Sequence, residues 1–198
     1  MLRPYYGLHR IPWTQRGATW HNELHQERRK IMTFNPDRHH RRSIRLPGYD
    51  YSQPGAYFVT ICTYQRECTF GTVQDHTVVL SQLGEIVEQC WRALSGHFRF
   101  IELDTFAIMP NHVHGIVAIN DYGQANSSGS SGTRPRSLGS IIQNFKSIST
   151  RKMKHAFQNG VATIWQRSYY ERVIRDQTEL NNVRRYIETN PDRWNAQA

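Results

Sequence analysis

The chain has 198 residues, 38% of them hydrophobic and 21% charged, with 25 Lys and Arg against 16 Asp and Glu for a net charge of +9. Five Trp, ten Tyr and eight Phe supply enough large apolar side chains for a packed core, which excludes wholesale disorder. No apolar run approaches the roughly 20 residues of a membrane-spanning helix, residues 1–17 lack the apolar stretch of a secretory signal, and three cysteines without a C-x-x-C pair argue against a disulfide framework or a thiolate zinc site.

Residues 1–40 show no sustained periodicity, which predicts a basic N-terminal arm without a fixed fold, and Met32 offers an alternative start. Residues 41–198 are expected to form a single domain. Pro47-Gly48 and Pro54-Gly55 mark turns, and Ala56–Tyr64 (AYFVTICTY) is a β-branched and aromatic strand. Leu83, Ile86, Val87, Cys90, Trp91 and Leu94 recur at helical spacing within Ser81–Ser95, with Gly96 as the expected stop.

Phe100–Met109 and His112–Asn120 read as two strands joined by the Pro110-Asn111 break into a hairpin. Residues 121–136 are Gly/Ser-rich and expected to be a flexible loop. Ser137 opens a helix with Ile141, Ile142, Phe145, Ile148, Met153 and Phe157 along one side, and a fourth strand follows around Tyr169–Ile174. Asp176 or Thr178 caps a last helix that must end near Asn190, because Pro191 disfavours helical geometry in the residue before it. The order β-α-β-β-α-β-α predicts an α+β fold, a ferredoxin-like antiparallel sheet backed by helices with one extra C-terminal helix.

The charge is segregated. Residues 1–45 carry +7, residues 46–121 carry −5, and residues 122–170 hold seven basic residues and no acid. A mildly acidic body with two basic segments is the footprint of a protein that meets a polyanion. Solvated basic tails are the bland alternative, but the second segment combines its charge with an amphipathic helical pattern. Nucleic acid is therefore the expected partner.

His112 and His114 flank Val113 on the third strand, so both imidazoles project from one face and suit a divalent metal. H-x-H alone is a weak signal. Here the apolar run Gly115–Ile119 makes the strand buried, and buried polar rings need partners. On the last helix Tyr186 and Asn190 stand at i and i+4, on one face. A phenol can attack phosphorus once its proton is removed, and an amide oxygen can join a metal shell. From spacing alone the packing reading is the stronger: Tyr186 as a core aromatic with Val183 and Ile187, and Asn190 as a helix cap.

Four sequence words stand in order: RRSIRLPGYDYSQPGAYFVTICT (41–63), MPNHVHGIV (109–117), WQRSYYERVIRD (165–176) and YIETNP (186–191). Together they resemble the single-tyrosine HUH transposases, specifically the REP-associated tyrosine transposase group, over about Arg41–Trp194. The combination is specific where H-x-H alone is not. The resemblance implies that His112, His114 and Asn190 bind Mg²⁺ or Mn²⁺, and that Tyr186 attacks DNA.

The activity it implies is cleavage and rejoining of single-stranded or hairpin DNA through a 5′-phosphotyrosine, by a cytoplasmic protein without membrane association, monomeric or homodimeric. DNA contacts are expected from the arm (Arg38, Arg41, Arg42, Arg45) and from Lys146, Arg151, Lys152, Lys154 and Arg167, with Tyr49, Tyr51 or Trp165 either stacking on unpaired bases or packing in the core. Tyr169 and Tyr170 lie near enough in sequence to compete with Tyr186, though a strand tyrosine there fits packing on the sheet. A non-catalytic hairpin-binding regulator is the alternative class, and a metal hydrolase using water a third.

Overall fold

The computed structural model describes residues 48–121, 136–158, 160 and 163–194. The expected arm and almost all of the Gly/Ser loop lie outside these residues. In chain order the elements are strands β1 (Gly55–Cys62), β2 (Gly71–Gln74) and β3 (Thr77–Leu80), helices α1 (Gln82–Arg92) and α2 (Leu94–His97), strands β4 (Ile101–Met109) and β5 (His112–Ile119), helix α3 (Leu138–Ala156), strand β6 (Tyr170–Ile174), and helices α4 (Gln177–Glu188) and α5 (Asn190–Trp194). Four strands form an antiparallel sheet in the order β4-β5-β1-β6. This is the α+β, ferredoxin-like arrangement the sequence predicts.

Strand alternation builds two layers. Tyr57, Val59 and Ile61 of β1 and Val113 and Val117 of β5 point to one face, where Val87 and Trp91 of α1 and Ile141, Ile142 and Phe145 of α3 close the main core. Phe58 and Ile116 point to the opposite face and meet Ile174, Val183 and Ile187, a smaller cluster under α4. Gly115 lies on the main-core side of β5, and a Cβ there would overlap the indole of Trp91. Its missing side chain lets the largest core ring lie against the strand.

Helix starts follow local chemistry. Ser81 accepts from the Gly84 amide, Ser137 from Ser140 and Asp176 from Glu179, each satisfying an otherwise orphaned donor. The cap of α4 is thus Asp176, the first of the two expected. One helix end differs from expectation. Gly96 stops nothing: α1 ends at Arg92, and Gly96 sits inside the short α2. The helix carrying Tyr186 does end near Asn190 as expected, at Glu188, but a short α5 follows from Asn190, since a proline in a first turn gives up an amide that has no partner there. The β2–β3 hairpin was not anticipated. Its turn residues Asp75 and His76 have φ of 46° and 63°, the left-handed pair of a tight hairpin turn, without the Asn-Gly or Asp-Gly that would announce it.

Helix α4 crosses the thinner layer and is tied to both sheet edges by charge. The Arg184 guanidinium grips both carboxylate oxygens of Asp104 on β4, and Glu179 pairs with Arg172 on β6. The Arg184 bond holds the Asp104 carboxyl down at about 2.

Two outcomes follow from this packing. Gly115→Ala forces Trp91 out of place and destabilises the fold by about 1–3 kcal/mol, read as a lower urea midpoint. Asp104→Asn lowers the thermal midpoint at neutral pH. Because the native carboxyl ionises below its ordinary 3.8, the stabilisation is complete above that value and is lost as pH falls through about 2, so wild type and variant converge over that window.

Candidate functional site

The register of the sheet sets the site. On β1, Thr60 faces His114 and Cys62 faces His112, at the end of β5 that follows the Pro110-Asn111 turn. Both imidazoles project into the layer beneath α4, as the alternation requires, and both are buried. Their Nε2 atoms approach to 2.9 Å.

Each ring is held from behind. The Asn111 amide donates through Nδ2 to the Arg66 carbonyl (3.2 Å), which leaves its Oδ1 as the acceptor facing His112 Nδ1 at 2.7 Å. His112 must therefore carry its proton on Nδ1, with the Nε2 lone pair turned toward its partner. His114 Nδ1 lies 2.9 Å from the Thr60 hydroxyl, which can donate or accept. Tying the far nitrogen fixes ring orientation and directs the near one, the arrangement found behind metal-binding histidines.

Burial, with the Arg66 charge, pushes His112 down to about 4, against the Asn190 amide that favours its protonated form. His114 lies well below its ordinary value for the same first reason, with His112 and Arg66 adding to it. Both rings are neutral lone-pair donors at neutral pH.

The C-terminal helices bring the rest. Tyr186 on α4 puts its hydroxyl 3.5 Å from His114 Nε2, with its ring 5.2 Å from the imidazole and 37% exposed. Asn190, at the start of α5, is buried and its amide reaches His112. Phe58 stacks on His114 at 5.4 Å and meets the Tyr186 ring edge-on at 6.0 Å. Trp194 approaches His112, and the Arg193 guanidinium lies over Tyr186. The four residues singled out for the site, His112, His114, Tyr186 and Asn190, thus come together. Tyr186 is not a core aromatic: Val183 and Ile187 are buried beside it while it remains exposed.

Among the described residues, no group of three or more His, Cys, Asp or Glu side chains could hold a metal. The available donors are two imidazole nitrogens and the Asn190 amide oxygen. Two nitrogens about 2.1 Å from one ion and at right angles stand about 3 Å apart, so the 2.9 Å separation suits a shared divalent cation. Few protein ligands also suit Mg²⁺, which keeps several waters.

The proposed DNA-contact residues divide. The Lys146 ammonium is engaged by the carbonyls of Gln166 (2.8 Å) and Ser168 (3.2 Å), and burial lowers it to about 8. It anchors the turn before β6. Arg151, Lys154 and Arg167, all exposed, line an open groove of about 920 Å³ together with His155, and Lys152 is exposed on α3. Arg41, Arg42 and Arg45 lie outside the described residues. Tyr51 and Trp165 are core residues, and Tyr49 packs on that core, so none of the three is a free stacking platform.

Three supporting residues escaped the sequence reading. Thr60 was legible as the residue two after Phe58 on β1, but its partner depends on cross-strand register. Asn111 was read only as turn chemistry, and Arg66 stood in a segment with no pattern.

The IS200-like transposase profile (Y1 transposases) matches residues 131–190, a span containing α3, β6 and Tyr186 through Asn190. An uncharacterised protein of Haemophilus influenzae is 38% identical over 177 residues, covering 81% of this chain and 93% of its own length. The fold is similar to that of a REP-associated tyrosine transposase solved with a REP hairpin, at TM-score 0.52 and 17% identity over 75% of this chain and 73% of that one. The matched span, lying on this four-stranded antiparallel sheet, marks a transposase-type, DNA-handling protein. The chain belongs to the IS200-like transposase family.

The buried pair has a consequence for stability. In EDTA, lowering the pH from the ordinary histidine value of 6.5 toward 4 destabilises the protein, because the unfolded chain takes up protons that native His112 refuses. His112→Asn flattens this slope in thermal melts recorded across the pH series.

Proposed function

We propose that the chain cleaves and rejoins single-stranded or hairpin DNA in a metal-dependent reaction through a 5′-phosphotyrosine intermediate, serving transposition or the mobilisation of repeat elements. The observation that supports it best is the Tyr186 hydroxyl 3.5 Å from one of two imidazoles whose nitrogens converge.

His112, His114 and Asn190 would hold Mg²⁺ or Mn²⁺. Bound there, the ion supplies Lewis acidity to a non-bridging oxygen of the scissile phosphate. Thr60 and Asn111 keep the two rings aimed. Tyr186 gives its phenolic proton to solvent at the open side of the site. Its oxygen bonds to phosphorus while the bond to the 3′-oxygen breaks, leaving a free 3′-hydroxyl and a 5′-phosphotyrosine. A 3′-hydroxyl from another strand reverses the step: a new P–O bond forms and tyrosine leaves. The bond energy is stored in the phosphotyrosine, so no nucleotide cofactor is needed.

Arg151, Lys152, Lys154 and Arg167, with Arg41, Arg42 and Arg45, supply cations for the phosphate backbone. The likeness in fold to a protein solved with a REP hairpin supports hairpin DNA as the ligand. No helix among the described residues is long and apolar enough to cross a membrane. This reading implies a cytoplasmic, nucleoid-associated protein, acting as monomer or homodimer.

Incubation with labelled hairpin oligonucleotides carrying single-stranded flanks and Mn²⁺ yields an adduct that survives denaturing electrophoresis. Tyr186→Phe lowers adduct formation roughly 10³-fold or more while binding persists, and His112→Ala does the same through loss of the metal. Cleavage without adduct would make water the nucleophile. Binding without cleavage would make the chain a hairpin-binding regulator.

A further inference from the structure

Tyr170 plays no part in the scheme above, yet it belongs to the same face. In the β1–β6 register it pairs with Thr60, the residue whose hydroxyl holds His114. Its ring meets Phe58 edge-on at 6.2 Å, so Phe58 carries His114 on its face and both Tyr186 and Tyr170 at its edges. Tyr170 is 42% exposed on an edge strand, and its hydroxyl makes no hydrogen bond among the described residues. Tyr169, its neighbour in sequence, packs on the opposite core and lies under the Lys146 ammonium.

A single exposed aromatic residue needs no explanation. The arrangement here is different. Two exposed phenol rings share one buried phenylalanine, and that phenylalanine is stacked on an imidazole of the site. The next same-face residue on β6, Arg172, is taken up by Glu179 of α4. Tyr170 thus stays 42% exposed beside Phe58, which also meets Tyr186.

We propose that Tyr170 is a stacking platform for an unpaired base beside the phosphate that Tyr186 attacks. This rests on the function proposed above and narrows its substrate: a base in a duplex is stacked on its neighbours, so the strand must be single-stranded, or opened, at the cleavage point. The contribution comes from the ring and not from the hydroxyl, which has no hydrogen-bond partner among the described residues. Tyr170 is thus a specificity residue, separate from the chemistry.

The test uses the full chain without divalent metal, so that binding is read apart from cleavage. The probe is a fluorescein-labelled hairpin with a single-stranded flank, whose stem fixes the register. A series replaces one flank nucleotide at a time by an abasic site or by 2-aminopurine. Tyr170→Phe binds the intact probe within about twofold of wild type. Tyr170→Leu, which keeps Phe58 covered, binds roughly 5- to 100-fold more weakly, the range of one lost base–aromatic stack.

At one flank position the abasic probe removes the difference between wild type and Tyr170→Leu. At that same position, 2-aminopurine fluorescence is quenched by wild type and by Tyr170→Phe but not by the leucine variant. Equal binding by wild type and Tyr170→Leu overturns the proposal, as does a loss that no abasic position cancels. A loss in Tyr170→Phe as large as in Tyr170→Leu would assign the role to the hydroxyl and also overturn it. These outcomes are independent of the adduct assay: cleavage with no adduct defeats the strand-transfer reading, and an adduct that persists in Tyr186→Phe moves the nucleophile, whereas the flank series decides the stacking.

Discussion

Two neutral imidazoles facing each other inside an apolar layer are the constraint around which this molecule is arranged. Buried polar atoms must find partners, and four of these ring nitrogens have to be accounted for. The answer is a relay: the Arg66 carbonyl fixes the Asn111 amide, Asn111 fixes the proton of His112, and Thr60 takes the far side of His114. Only the two inward nitrogens remain, and they point at each other. The unusual backbone of Gln65 and Arg66, with φ of 52° and 57°, is what turns that carbonyl toward Asn111. A strained turn thus sets a proton position one strand away, a use of strain that recurs at functional sites.

The two faces of the sheet are held by different physics. On the α1/α3 side, Tyr57, Trp91, Phe145 and their neighbours are fully enclosed, and large apolar area does the holding. On the α4 side the cluster is small, and the helix that carries Tyr186 adds charged pairs to β4 and β6 to the burial of Val183 and Ile187. Such partly exposed pairs each contribute little. The histidines are carried by an inner strand of the sheet and the phenol by the helix laid over it, so the two halves of the site come from different elements of the same layer.

Strand alternation made much of this legible. Period two along His112-Val113-His114 fixed the shared face of the imidazoles, and the same rule predicts Val113 and Val117 in the opposite core. Helix periodicity aligned Tyr186 with Asn190, and the order of elements gave the sheet. What escaped the reading depends on relations between distant segments. Register decides that Thr60, not Cys62, backs His114. The role of Lys146 could not be read from its charge, because it follows from where the carbonyls of residues 166–168 return to α3. The β2–β3 hairpin turns on left-handed Asp75 and His76, residues that tolerate this geometry without advertising it.

Placement of charge links the site to its surroundings. The Gln166 amide donates to the Cys62 carbonyl, and Cys62 pairs with His112, so the segment before β6 runs beside the very strand end that presents the imidazoles. That segment is pinned to α3 by Lys146, whose ammonium donates to backbone carbonyls, and Arg167 is left exposed, lining the basic groove with Arg151 and Lys154. A half-buried lysine thereby positions the exposed Arg167. Of the acids of residues 46–121, Glu85 and Glu88 lie on α1 and Glu102 and Asp104 on β4, the rest outside helices and strands, whereas Arg151, Lys152 and Lys154 lie on α3 and Arg167 on the turn it anchors. On the proposed reading the cations of α3 and the imidazoles lie on opposite faces of the sheet, and the Gln166–Cys62 hydrogen bond joins the segment that carries Arg167 to the strand end opposite His112.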